Sequence, residues 1–85
     1  MISKKCYVVT SLIESEDEYA EVNVISIENN KKDAWGVVSQ AVSEVKENYD
    51  ENDIDYEIKS YEESVILQSD CETITIEYHE SEVLV

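Results

Sequence analysis

The spacing of apolar residues changes period twice along this chain, and few architectures accept that change. Residues 5–13 are rich in Tyr, Val, Ile and Thr, which is the signature of a strand. After the polar run Glu14-Ser15-Glu16-Asp17-Glu18, Ala20, Val22 and Val24 alternate with Glu21 and Asn23. A period of two belongs to a half-buried strand, here paired with the first as an antiparallel hairpin. Trp35, Val38, Ala41, Val42, Val45 and Tyr49 then recur at steps of three and four, lining one face of a helix. Period two resumes at Ile54, Tyr56 and Ile58, set against Asp55, Glu57 and Lys59. The short apolar run Val65-Ile66-Leu67 reads as a central strand, and Ile74, Ile76 and Tyr78 face inward on a last one, with Thr73, Thr75, Glu77 and His79 outward. The order is ββαβββ. Runs of strands with one segregated helix predict an α+β fold, a mainly antiparallel sheet with the helix packed on one face. Eighty-five residues make one domain, residues 1–85.

Local signals sharpen this outline. Asn30 is placed to cap the helix, with Asp33 three positions on, and the helix is expected to end near Tyr49, where an acidic run begins. Gly36 inside the helix costs up to ~1 kcal/mol relative to Ala, so a close approach of the helix to the sheet is expected there. With one Gly and no Pro, the turns fall to Asn, Asp and Ser. Six Tyr and no Phe leave tyrosine to fill the aromatic volume, with Trp35 in the core. Any tyrosine on the sheet face opposite the helix would be an interface anchor. The final Val83-Leu84-Val85 is expected to pack on the sheet or on a partner.

Charge narrows the function. Twenty-one Asp and Glu stand against six Lys, a formal net charge of −15. No basic patch exists to neutralise phosphates, which excludes direct binding to nucleic acid or an anionic membrane, and no apolar run is long enough to span a bilayer. Residues 1–43 carry seven acids and four lysines, residues 44–85 fourteen acids and two lysines. Solubility needs a net charge of only about 2–8 in magnitude. If residue 53 is already extended, Asp53, Asp55 and Glu57 form a row about 6.7 Å apart on one strand, which Glu77 joins from a neighbour. Asp50, Glu51, Glu62, Glu63, Glu80 and Glu82 extend it. These ten acids are the candidate partner-binding residues.

Other chemistries find no support in the sequence. Cys6 and Cys71 share no metal-ligand or disulfide spacing and read as two free thiols of an intracellular, cytoplasmic protein. Met1 to Ile13 reads as the first strand, since it lacks the pattern of a signal peptide. A calcium loop starting at Asp50 has Asp55 where glycine is required and Tyr61 where glutamate is required. His79 lies on the outward side of a strand, and neither a nucleophile elbow nor a phosphate-binding glycine loop is present. The expectation is a non-enzyme without cofactor or metal.

An opening Tyr7-Val8-Val9 strand, a Val22–Ile27 strand, a helix containing Asp33-Ala34-Trp35 and a closing strand meander, on so acidic a chain, resemble the small acidic counter-defence proteins of phages and mobile elements, including DNA mimics and several anti-CRISPR proteins. That resemblance implies inhibition of a nucleic-acid-handling protein, a nuclease or CRISPR effector, through occupation of its cationic site. The alternatives are an acidic antitoxin or immunity-type partner of a basic protein, and a structural homodimer built through a sheet edge or the C-terminal residues.

Overall fold

The computed structural model describes residues 3–16 and 20–84. Five strands, β1 (Ser3–Ser15), β2 (Ala20–Glu28), β3 (Tyr56–Ser60), β4 (Ser64–Ser69) and β5 (Glu72–Leu84), form one sheet in the order β2-β1-β5-β4-β3, and every pairing is antiparallel. The helix α1 (Lys31–Glu51) crosses from β2 to β3 on one face. This is the expected ββαβββ α+β domain. Tyr19 and Val85, which the sequence reading placed in strands or at a packed end, lie outside the described residues. None of the described helices is long and apolar enough to cross a membrane.

The alternation works as the sequence implies on the three inner strands. Val65 pairs with Ile76 and Leu67 with Ile74, and these four sit beneath α1 with Val9 and Tyr78. From the helix, Ala34, Val38, Val42 and Tyr49 close the core, with Trp35, Ala41 and Val45 packed against it. Aromatic edges lock the ends of this layer: Trp35 and Tyr7 each meet Tyr78 edge-on, with centroids 6.3 and 6.2 Å away. Tyr49 and Tyr56 lie 5.2 Å apart at the other end. All four tyrosines stand on the helix side, so none of them anchors the opposite face as the sequence reading allowed.

The Asn30 side chain accepts a bond from the Asp33 N–H at 2.8 Å, the expected cap. The helix runs two residues beyond Tyr49, to Glu51. The reason expected for Gly36 is absent, because a Cβ built there meets nothing within 4 Å and the residue is exposed. Gly36→Ala is therefore expected to stabilise the domain by up to about 1 kcal/mol, a rise of about 4–8 °C in Tm by calorimetry.

Strand β2 departs from the half-buried expectation. Ala20, Val22 and Val24 do share a side, but it is the side without a helix, where Val22 and Val24 are 66% and 63% exposed. A bulge explains the rest of the strand. Val9 pairs with Ser26 and Thr10 with Val24, leaving Ile25 as the extra residue. Ile25 turns toward α1, and Ile27, paired with Val8, joins Val22 and Val24 on the open side.

Candidate acidic interface

The expected row of carboxylates on β3 does not form. The chain leaves α1 through a tight turn, in which the Asn52, Asp53 and Ile54 N–H groups donate to the carbonyls of Asn48, Asp50 and Tyr49. Asp53 takes a left-handed φ of 54°, a conformation that Asp tolerates better than most residues. Strand β3 begins only at Tyr56, so Asp53 and Asp55 precede it and Glu57 alone lies in it. Glu77 cannot join from a neighbour either, because β4 separates β3 from β5. By strand spacing and register, Glu57 and Glu77 stand roughly 16 Å apart on the open face.

The fold gathers acids in another way, at one end of an elongated molecule of about 51 × 26 × 19 Å. Three features meet there: the end of β1, the β4–β5 turn and the C-terminus of α1. Ser15 pairs with Glu72, and the Glu16 N–H donates to the Cys71 carbonyl at 3.2 Å. The Tyr49 hydroxyl donates to Glu72 Oε1 at 3.1 Å, tying the helix end to the turn. Ser69 Oγ holds the turn itself, donating to the Glu72 carbonyl and accepting from the Glu72 N–H, both at 3.2 Å. Tyr56 pairs with Ser69, which brings Asp55 and Asp70 to the rim of one shallow hollow with Glu57. Glu14, Glu16, Asp70 and Glu72 rim a second hollow beside it.

Asp50, Glu51, Asp53, Asp55 and Glu57 thus share this acidic end with Glu14, Glu16, Asp70 and Glu72, and no lysine falls in these segments. The remaining candidates lie elsewhere. Glu62 and Glu63 occupy the β3–β4 turn, where the Glu63 carbonyl accepts from the Tyr78 N–H. Glu77 contacts His79 at 3.4 Å on the open face. Glu80 accepts from Lys5 at 3.5 Å and from the Tyr7 hydroxyl at 3.4 Å, and Glu82 pairs with Lys5 across the strands. That far end also holds Lys4, Lys31 and Lys32, so Glu28, Asp33, Glu80 and Glu82 are balanced there.

Glu14, Glu16, Asp70 and Glu72 were in plain view as two acidic turns. Their convergence depends on β1 lying beside β5, which the sequence does not state. Among the described residues no three His, Cys, Asp or Glu side chains come together closely enough to hold a metal ion. The carboxylates at the acidic end are spread as an array, a geometry suited to several separate cations on a partner surface. Asp50 and Glu51 stand in the last helical turn with no basic residue, against the macrodipole.

The hydroxyl that makes the anchoring contact is itself shifted in its acid–base behaviour. Burial, then the nearby Glu72 carboxylate, raises the Tyr49 hydroxyl above its ordinary value of 10.0. A raised folded value favours the fold fully below pH 10 and loses that contribution as pH climbs through it. Tyr49→Phe is expected to cost about 1 kcal/mol at neutral pH and to flatten the alkaline loss of stability, read by urea unfolding between pH 7 and 11. No protein-family model, curated protein or solved structure matches this chain.

Proposed function

We propose that this chain is a non-catalytic inhibitor whose acidic end occupies the cationic nucleic-acid-binding surface of another protein, a nuclease or CRISPR effector. One observation carries the reading: acids from separate segments are held at one end, on a hydrogen-bonded frame, where they repel one another and oppose the helix dipole. A solvated surface gains nothing from that arrangement, whereas a Lys/Arg groove that normally holds phosphates is steered toward it. Asp50, Glu51, Asp53, Asp55, Glu57, Glu14, Glu16, Asp70 and Glu72 make the contact, and no cofactor or metal takes part.

The test is competition. A target captured from the host lysate at low salt is titrated with labelled duplex DNA in the presence of saturating protein. Loss of DNA binding, relieved as salt rises, supports the reading. A target that holds DNA and this protein together overturns mimicry and favours an acidic antitoxin or immunity-type partner.

A further inference from the structure

We infer that a cleft beside the acidic end is a socket for one arginine side chain of the cationic partner. The inference rests on the reading of that end as a binding surface for a basic protein, and it adds an apolar anchor to an array of charges. The cleft lies where α1 leaves part of the sheet uncovered. Ser11 pairs with Ile76 and Ile13 with Ile74, and these isoleucines form its floor. One wall is Ile25, the bulged residue of β2, which is 41% exposed. The other wall is Ala41 and Val45, one helical turn apart on α1. Ala41 presents only a methyl group where Val38, Val42 and Val45 around it are larger, so the space stays open.

Volume and rim together select the occupant. The cleft holds about 280 Å³. Small-molecule pockets usually span about 300–1,000 Å³, so this one has room for a single long side chain. Its rim is polar: Glu44, Asn48 and Tyr49 come from the helix and Glu72 from the start of β5. No lysine lines it, and among the described residues neither Glu44 nor Glu72 forms an ion pair. The Tyr49 hydroxyl, donating to Glu72 Oε1 at 3.1 Å, fixes that carboxylate at the mouth and leaves it lone pairs for a guest. A bare metal ion gains nothing from the isoleucine floor. A neutral apolar guest would strip water from two carboxylates without replacing it. A guanidinium on an aliphatic stem meets both demands, its stem along Ile13, Ile25 and Val45 and its head at Glu44 and Glu72. The ammonium of lysine is more strongly hydrated, so arginine enters at lower cost. Glu44 thereby joins the contact from outside the segments of the acidic end.

The experiment has two arms, so that the socket and the mimicry fail separately. In the first, the full chain alone is titrated with n-butylguanidinium and with its neutral counterpart n-butylurea, followed by amide NMR. The guanidinium is expected to bind with a millimolar Kd, to shift the amides of Ala41, Val45 and Ile74, and to bind about fivefold more tightly than the urea. Ala41→Leu, which fills the cleft without changing any charge, should keep its circular dichroism and Tm and abolish these shifts. Glu44→Gln, at an exposed position, should weaken binding about threefold. Equal binding of the two compounds, or shifts that survive Ala41→Leu, overturns the socket. In the second arm, the captured target should bind Ala41→Leu about tenfold more weakly than wild type. A target that binds Ala41→Leu as it binds wild type, and is still displaced from DNA, overturns the socket and leaves the mimicry standing. A target that loses tenfold on Ala41→Leu but holds DNA throughout supports the socket and overturns the mimicry.

Discussion

Replacing Asp53, Asp55 and Asp70 together by Asn is expected to weaken binding to the proposed cationic target by about a hundredfold while raising the Tm of the free protein. The first effect follows from removing three exposed carboxylates that share the rim of the acidic end, at about 1 kcal/mol for each charge pair lost. The second follows from relieving repulsion within an end that holds no lysine. A purely structural role would move both readouts down together. The control is an equal change of charge at the far end, Glu28→Gln, Glu80→Gln and Glu82→Gln, where Lys5 already balances Glu80. It should weaken binding no more than about threefold, because contacts beyond a Debye length of about 10 Å are screened at 0.1 M salt. Titration calorimetry with both triple variants decides the matter. Equal losses would mean that the target reads net charge and not the acidic end.

Leu67→Ala is expected to be the most damaging single change to the fold. Leu67 is fully buried, pairs with Ile74 and lies under the helix among Val65, Ile76 and Val38. Truncating a buried leucine costs about 2–5 kcal/mol, counting the cavity left behind. A domain of 85 residues has only about 4–13 kcal/mol to lose, and a net charge of −15 draws on the same reserve. The variant should melt more than about 10 °C lower and regain part of the loss when salt screens the acids. Tyr61→Ser, at a residue 54% exposed in the β3–β4 turn, should stay within about 0.5 kcal/mol of wild type. Thermal unfolding at two salt concentrations tests all three statements.

The helix and the inner strands were legible because their signals are local. Asn30 and Asp33 cap in sequence order, and Val38, Val42 and Tyr49 bury at the spacing that one face requires. Ile74, Ile76 and Tyr78 needed only alternation. The acidic end was not legible, because it depends on strand order. Counting acids along the chain placed the weight in residues 44–85, and so left out Glu14 and Glu16, which Ser15 brings to Glu72. It also gathered in Glu80 and Glu82, which the same pairing carries to the far end beside Lys5. Alternation in Asp53, Asp55 and Glu57 suggested an extended row, but the return from the helix takes Asp53 into a turn and leaves Asp55 ahead of the strand. On β2 the period was read correctly and its side was not, since nothing in Val22 and Val24 says which surface the helix will cover.

The extra residue in β2 governs what the molecule shows on its uncovered surface. Were alternation unbroken from Ala20, Ser26 and Glu28 would follow Val22 and Val24, planting a carboxylate among them. Ile25 shifts the phase by one, so Ile27 takes that place and Glu28 rotates to the other side. Excising this single isoleucine would remove the bulge and leave those faces as they are, because Ser26 would follow Val24 on the covered side and Ile27 would stay on the open one. A hydrophobic dye that binds the deletion as it binds the wild type would show that the patch outlives the bulge.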